Sequence, residues 1–73
     1  MPIDVPIRGD TIRLGQLLKL AGLVDHGGEV RGFLADHPVL VNGEREHRRG
    51  RQLHPGDVVA AGARELRVVA GPS

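Results

Sequence analysis

Four arginines in one short segment suggest the chemistry of this chain. The segment contains Arg45, Arg48, Arg49 and Arg51, all within seven residues. Each guanidinium presents a planar fork of donors and stays charged at physiological pH, which suits a phosphate-rich partner. The segment therefore predicts an anion-binding surface, with nucleic acid as the first candidate.

The structural alternative is a solvated loop whose arginines pair with nearby carboxylates. Glu44, Glu46 and Asp57 are the candidate partners in sequence, and Arg45 alternates with the two glutamates. Exposed ion pairs contribute only about 0 to 1 kcal/mol each, so stability alone gives little reason for so many arginines. We therefore favour binding over a purely structural role.

Other chemistries lack the residues they need. The chain has no cysteine, and its only aliphatic hydroxyls are those of Thr11 and Ser73, so no nucleophile, base and orienting group can be combined. His26, His37, His47 and His54 are separated by 11, 10 and 7 residues, which places no pair on one helical turn. The sequence predicts no enzyme, no metal site, no cofactor and no small-molecule substrate.

Length and composition limit the organisation of the protein. Its 73 residues predict a single domain, 1–73, and the formal net charge of +1 means that its basicity is local. Phe33 is the only aromatic residue, so the core must be aliphatic. No apolar run approaches the roughly 20 residues that span a bilayer, and no signal peptide is recognisable. We expect a cytoplasmic monomer with no membrane partner.

Two short helices are predicted to support the arginine segment. Leu14, Leu17, Leu18 and Ala21 follow the spacing of one apolar helical face, with Thr11 as a candidate N-cap and Gly22 as the stop. Arg13, Gln16 and Lys19 fall away from that face, towards solvent or a ligand.

The second helix is predicted from about Gly28 to Asp36, with Val30, Phe33 and Leu34 on its apolar face. Gly32 within it indicates either close packing against the first helix, which we favour, or close approach of a ligand backbone. Pro38 ends the helical region.

The remaining segments predict a small sheet. Residues 3–7 alternate apolar and polar around Pro6, as in an edge strand. Residues 39–41, 58–61 and 65–69 are apolar strand candidates, and Asn42-Gly43 is a strong turn signal. The predicted fold class is α+β, with two packed short helices against a small, twisted, mostly antiparallel sheet.

The ordered set of these motifs resembles the S4-type RNA-binding domain, or alpha-L motif, and especially its short stand-alone bacterial members. The matching residues span positions 12–59. They are Ile12, Leu14, Gln16, Leu18-Lys19, Gly22, Gly27-Gly28-Glu29, Val39, Val41-Asn42-Gly43-Glu44, Arg48-Arg49-Gly50-Arg51, Leu53 and Gly56-Asp57-Val58-Val59.

The resemblance implies a module that binds structured RNA, including ribosomal RNA, through the helical pair and the following loop. By position, Lys19 and Arg31 would contact phosphates from the helices. Arg48, Arg49 and Arg51 would do so from the loop, together with the neighbouring Arg45. Gly27 and Gly28 would form a tight bend whose backbone amides can donate hydrogen bonds to a phosphate. The chain departs from the family pattern at His26, where a small hydroxyl residue is usual, and at Val30-Arg31, where Ala-Lys is usual.

Two alternatives belong to other functional classes. A small β-grasp sulfur carrier has a similar length and a late VNGE turn, but it needs a C-terminal Gly-Gly, where this chain reads Ala70-Gly71-Pro72-Ser73. A protein-binding adaptor could direct the same arginines at an acidic partner, and the sequence leaves that option open.

Overall fold

The computed structural model describes residues 1–71 and places two helices beside a five-stranded sheet. The elements are β1 Ile3–Ile7, β2 Ile12–Arg13, α1 Leu14–Leu20, α2 Gly27–Asp36, β3 Val39–Val41, β4 Glu44–Arg45, β5 Gln52–Leu53, β6 Val58–Ala61 and β7 Arg64–Ala70. The α+β class predicted from the sequence is confirmed. The predicted domain also includes residues 72 and 73, which lie outside the described residues.

The main sheet has the strand order β1-β7-β6-β3-β4. β1 runs parallel to β7, with Val5 opposite Val68, and the three other pairings are antiparallel. The sheet is therefore mostly antiparallel, as expected, and residues 3–7 form an edge strand. A separate antiparallel ladder joins β2 to β5 through Ile12 opposite Leu53 and Arg13 opposite Gln52.

An aliphatic core holds the helices to the sheet. Leu14, Leu17 and Leu18 of α1 are fully buried, as are Val59 of β6 and Val68 of β7. Alternate residues of β1 and β7 are buried, so one face of the sheet contacts the core and the other faces solvent. Phe33 packs against this core only partly buried, and its ring lies 4.6 Å from that of His37.

The turn between β3 and β4 has the geometry that its sequence predicts. Asn42 and Gly43 have φ values of 51° and 86°, as a two-residue hairpin with both central residues left-handed requires. The Asn42 side chain donates from Nδ2 to Asp57 Oδ1 at 3.0 Å and accepts from the Val58 amide at 2.9 Å. These two hydrogen bonds therefore connect this turn with the Gly56-Asp57 turn and stabilise both.

Two sequence-based predictions about the helices are corrected. The N-cap of α1 is Arg13 rather than Thr11, and the helix begins at Leu14, because Ile12 and Arg13 are engaged in the β2–β5 ladder. The Arg13 amide instead donates to Gln16 Oε1 at 3.2 Å. α2 begins one residue earlier than predicted, at Gly27.

Close packing does not explain Gly32, since a Cβ placed there would meet no atom within 4 Å. The glycine that packs closely between the helices is Gly15. A Cβ at that position would lie 3.3 Å from Val30 Cγ1.

Candidate nucleic-acid interface

The segment between β4 and β5, residues 46–51 and here called the arginine loop, lies against the N-terminus of α1. The Leu14 amide donates to the Arg51 carbonyl at 2.9 Å, and the Gly15 amide donates to the Arg49 carbonyl at 2.9 Å. These are two of the amides that the first turn of a helix leaves without a partner. The loop backbone satisfies them, so they are not free to bind a phosphate.

Gly15 lies where the arginine loop and α2 both approach α1. A Cβ there would stand 3.5 Å from the Arg49 carbonyl oxygen and 3.6 Å from Arg49 Cβ, in addition to its contact with Val30. The contact with Val30 is tighter than usual, whereas the two distances to Arg49 are those of ordinary van der Waals contact. Gly15 therefore mainly allows close packing of α1 against α2, at the place where the arginine loop also meets α1.

A buried carboxylate organises the arginine loop from within. Glu46 is 7% exposed, and its Oε1 accepts from Arg51 Nη1 at 2.9 Å. Its Oε2 accepts from Arg48 Nε at 3.2 Å and from the backbone amides of His47 and Arg48 at 3.0 and 3.1 Å. The sequence had placed Glu46 among several candidate partners, whereas the structure makes it the shared partner of two arginines.

These contacts alter the acidity of Glu46. The hydrogen bonds from Arg48, from its side chain first and then its backbone, and the bond from Arg51 lower the pKa of the carboxyl from 4.5 to about 2, against the opposing effect of burial. In turn, Glu46 raises the pKa of Arg48 by hydrogen bonding and charge attraction. The carboxylate is therefore ionised at neutral pH.

The four arginines named from the sequence therefore fall into two groups. The Arg48 and Arg51 guanidiniums both bind Glu46, and the Arg51 side chain is only 35% exposed. The Arg45 and Arg49 side chains form no ion pair within residues 1–71. None of the four pairs with Glu44 or Asp57 in the same region. Pairing with a nearby carboxylate, the structural alternative to binding, therefore applies to Arg48 and Arg51, and Glu46 is the partner of both.

A shallow depression of about 340 Å³ opens between α1, α2 and the arginine loop; we call it the basic depression. Its lining consists of Arg13, Gly15, Gln16, Lys19, Gly27, Val30, Arg49 and Gly50. Arg13, Lys19 and Arg49 bring three positive charges to it, and none of them forms an ion pair with another described residue. Positive side chains that lie around one depression without counter-charges attract an anion to it.

A second, smaller depression adjoins the first. It is lined by Arg31, Leu34, His47 and Arg49, so Arg49 borders both. Arg49 thereby shares one depression with Lys19 of α1 and the other with Arg31 of α2. The helix-borne and loop-borne cations named from the sequence, Lys19, Arg31 and Arg49, are brought together.

Other candidate residues lie apart from this surface. Arg45 is exposed on β4 and lines neither depression, and Gly28 is likewise outside both linings. The bend before α2 carries a carboxylate, since Glu29 Oε1 lies 3.1 Å from His26 Nε2 and its Oε2 accepts from the Asp25 amide at 3.3 Å. A negative charge at this helix start opposes the phosphate contact that the glycine pair implied.

Sequence reasoning left Arg13 out of the binding set. A signal existed, because the sequence placed Arg13, Gln16 and Lys19 away from the apolar stripe of the first helix, although the structure has Arg13 as its N-cap. The information that selects Arg13 is the position of Arg49 across the depression, which depends on the folded loop.

Two kinds of site are absent from the described chain. Within residues 1–71, no cluster of three or more His, Asp or Glu side chains is arranged to hold a metal ion. No helix there combines the length and apolar character needed to cross a bilayer.

Comparison with known proteins supports the resemblance read from the sequence. Residues 5–69 match the family described as S4 domain. A curated relative from Bacillus subtilis (strain 168), "Probable ribosome maturation protein RlbA", is 55% identical over 56 residues, which cover 74% of this chain and 79% of the relative.

Proposed function

Since this chain belongs to the S4 domain family, we propose that it is a non-catalytic module that binds structured RNA through the basic depression and the adjoining Arg31 surface. The observation that carries the proposal is the convergence of Arg13, Lys19 and Arg49 on one open depression without counter-charges among the described residues. Phosphate groups supply the complementary charge, and an open surface suits a polymer better than a small ligand.

Ribosomal RNA is the partner that we propose first. The relative from Bacillus subtilis is named a probable ribosome maturation protein, and it shares 55% identity over 56 residues. By this analogy the present chain acts as one domain, 1–73, on ribosomal RNA or on a ribosomal precursor. The β-grasp alternative is not favoured, because residues 5–69 match a different family.

The side chains available favour base-paired RNA over single strands. Proteins that bind single strands stack bases on exposed aromatic rings. Phe33 is the only Phe, Trp or Tyr in the sequence, and it is packed against the core beside His37. The depression instead presents guanidinium and ammonium groups, which recognise the phosphate positions of a duplex by shape.

The rest of the proposal follows from this mode of binding. Recognition by charge and shape needs no cofactor, metal ion or catalytic group in the protein. We propose that the chain acts as a monomer in the cytoplasm, where ribosomal RNA is found.

Substitutions in the basic depression provide the test. Lys19→Ala and Arg49→Ala should each weaken binding to a base-paired ribosomal RNA hairpin by about 5- to 30-fold at low salt, because each removes a charge-assisted contact of about 1 to 2 kcal/mol. Arg64→Ala is the matched control, since Arg64 is exposed on β7 beside Ile3 and Leu20, outside the basic depression. Filter binding measures all three variants. Equal losses for the control and the depression variants would reject this surface.

A further inference from the structure

Glu46 combines burial, charge and a central place in the loop that the proposed RNA surface uses. Its side chain touches two guanidiniums and two backbone amides, all within residues 46–51. A carboxylate beside an RNA-binding loop ought to repel phosphate and weaken binding. Its burial under two arginines requires another explanation.

We propose that Glu46 is a positioning residue for RNA binding, and that Arg48 and Arg51 act mainly through it by fixing the loop that presents Arg49. The inference rests on the proposed function and assigns different roles to the charged residues of the site. Arg13, Lys19, Arg31 and Arg49 would meet phosphate, whereas Arg48, Arg51 and Glu46 would hold the loop in place.

The geometry connects Glu46 to the basic depression by a short path. Arg51 binds Glu46 through its side chain and the Leu14 amide through its carbonyl oxygen. Arg49, two residues earlier, is held by the bond between its carbonyl oxygen and the Gly15 amide. The Arg51 amide also donates to the Arg48 carbonyl at 3.2 Å, which closes a turn around Arg49. Glu46 therefore anchors both ends of the turn that carries Arg49.

Fixing the loop before binding reduces the ordering cost at the interface. Immobilising a rotamer-rich side chain on binding opposes the association, and ordering a mobile loop backbone adds to that cost. In a preorganised turn, part of this ordering has already occurred during folding, so the remaining cost on binding is smaller. Loss of Glu46 should weaken binding for this reason, even though it removes a negative charge from the phosphate surface.

Glu44 offers a matched control for the charge itself. It is exposed on β4, two residues from Glu46, and forms no ion pair within the described part of the chain. Glu44→Gln and Glu46→Gln remove the same charge from neighbouring positions. If Glu46 matters only as a charge, both variants should bind RNA slightly more tightly than the parent protein.

The experiment measures filter binding of the full chain to the ribosomal RNA hairpin at a temperature at which each variant is folded by circular dichroism. We expect Glu46→Gln to weaken binding at least 5-fold and Glu44→Gln to leave it unchanged or tighten it up to about 3-fold. Binding by Glu46→Gln as tight as by Glu44→Gln would overturn the inference while leaving the proposed function in place. Failure of the parent protein to bind RNA would remove both.

A charge-conserving variant covers the case in which Glu46→Gln does not fold. Arg51→Lys keeps the positive charge but replaces the planar fork with a point charge, so the contact with Glu46 Oε1 is disturbed. We expect RNA binding to weaken at least 3-fold, whereas Arg64→Lys should bind like the parent. Unchanged binding by Arg51→Lys would contradict a positioning role.

Discussion

The buried carboxylate of Glu46 predicts a pH dependence of stability that a single substitution should remove. The side chain and backbone amide of Arg48 and the side chain of Arg51 favour the ionised form, and they lower the pKa of Glu46 from 4.5 to about 2. A carboxyl whose pKa is lower in the folded than in the unfolded state stabilises the fold above its unfolded pKa. That contribution declines as the pH falls from about 5 and is lost near pH 2.

The shift sets the size of the effect. Each pKa unit corresponds to about 1.4 kcal/mol, so the shift gives at most about 3.5 kcal/mol at pH 7. Since Arg48 lies largely in solvent, screening should reduce this to about 2 kcal/mol. A domain of 73 residues has a total stability of about 4 to 11 kcal/mol, so the loss of Glu46 would be readily measurable. For a domain of this size, about 2 kcal/mol corresponds to a fall in Tm of roughly 10 °C.

Urea denaturation of the parent protein and Glu46→Gln between pH 7 and pH 2.5 tests the prediction. At pH 7 the variant should be less stable by about 2 kcal/mol, and the difference should shrink below pH 5 as the parent carboxylate takes up its proton. The other carboxyls titrate in both proteins and cancel in the difference. Glu44→Gln, the exposed control, should match the parent throughout. A stability gap that persists unchanged at pH 2.5 would refute the assignment of the low pKa to Glu46.

The remaining predictions concern the depression, the core and two glycines. Arg13→Ala should weaken RNA binding about 5-fold or more in filter binding with no loss of stability, because its charge faces the depression; unchanged affinity would remove it from the surface. Leu17→Ala should cost about 2 to 5 kcal/mol in urea denaturation, since Leu17 is fully buried. Gly71→Ala should cost roughly 1 to 3 kcal/mol, because the added Cβ would lie 2.5 Å from the Ile7 carbonyl oxygen. Gly32→Ala, whose Cβ meets open space inside α2, should instead stabilise the protein by up to about 1 kcal/mol. If Gly32→Ala were less stable than the parent protein, position 32 would be constrained by something other than the contacts around its Cβ.

Local patterns in the sequence predicted most of the elements. The spacing of Leu14, Leu17 and Leu18 identified the buried face of α1, and Asn42-Gly43 identified the β3–β4 turn with its positive φ values. The ordered motifs also identified the family, which the match over residues 5–69 confirms. These features depend on residues close together in the chain, where propensity and periodicity act.

Features built from distant residues could not be predicted in the same way. The β2–β5 ladder joins two pairs of residues about forty positions apart, and it displaced the start of α1 from the predicted cap at Thr11. The difference between Arg48 and Arg49 is also invisible in sequence. The two are adjacent and chemically identical, yet only Arg48 contacts Glu46, because the turn of the loop directs their side chains differently.

The salt dependence of RNA binding tests the central claim most directly. If the basic depression and Arg31 neutralise three to five phosphates, the slope of log K against log salt should be about −2.7 to −4.5 for the base-paired ribosomal RNA hairpin. The double variant with Lys19→Ala and Arg49→Ala should reduce the magnitude of that slope by about 1 to 2, and Arg64→Ala should leave it unchanged. Absence of binding at low salt, or a slope that the double variant does not alter, would contradict the account.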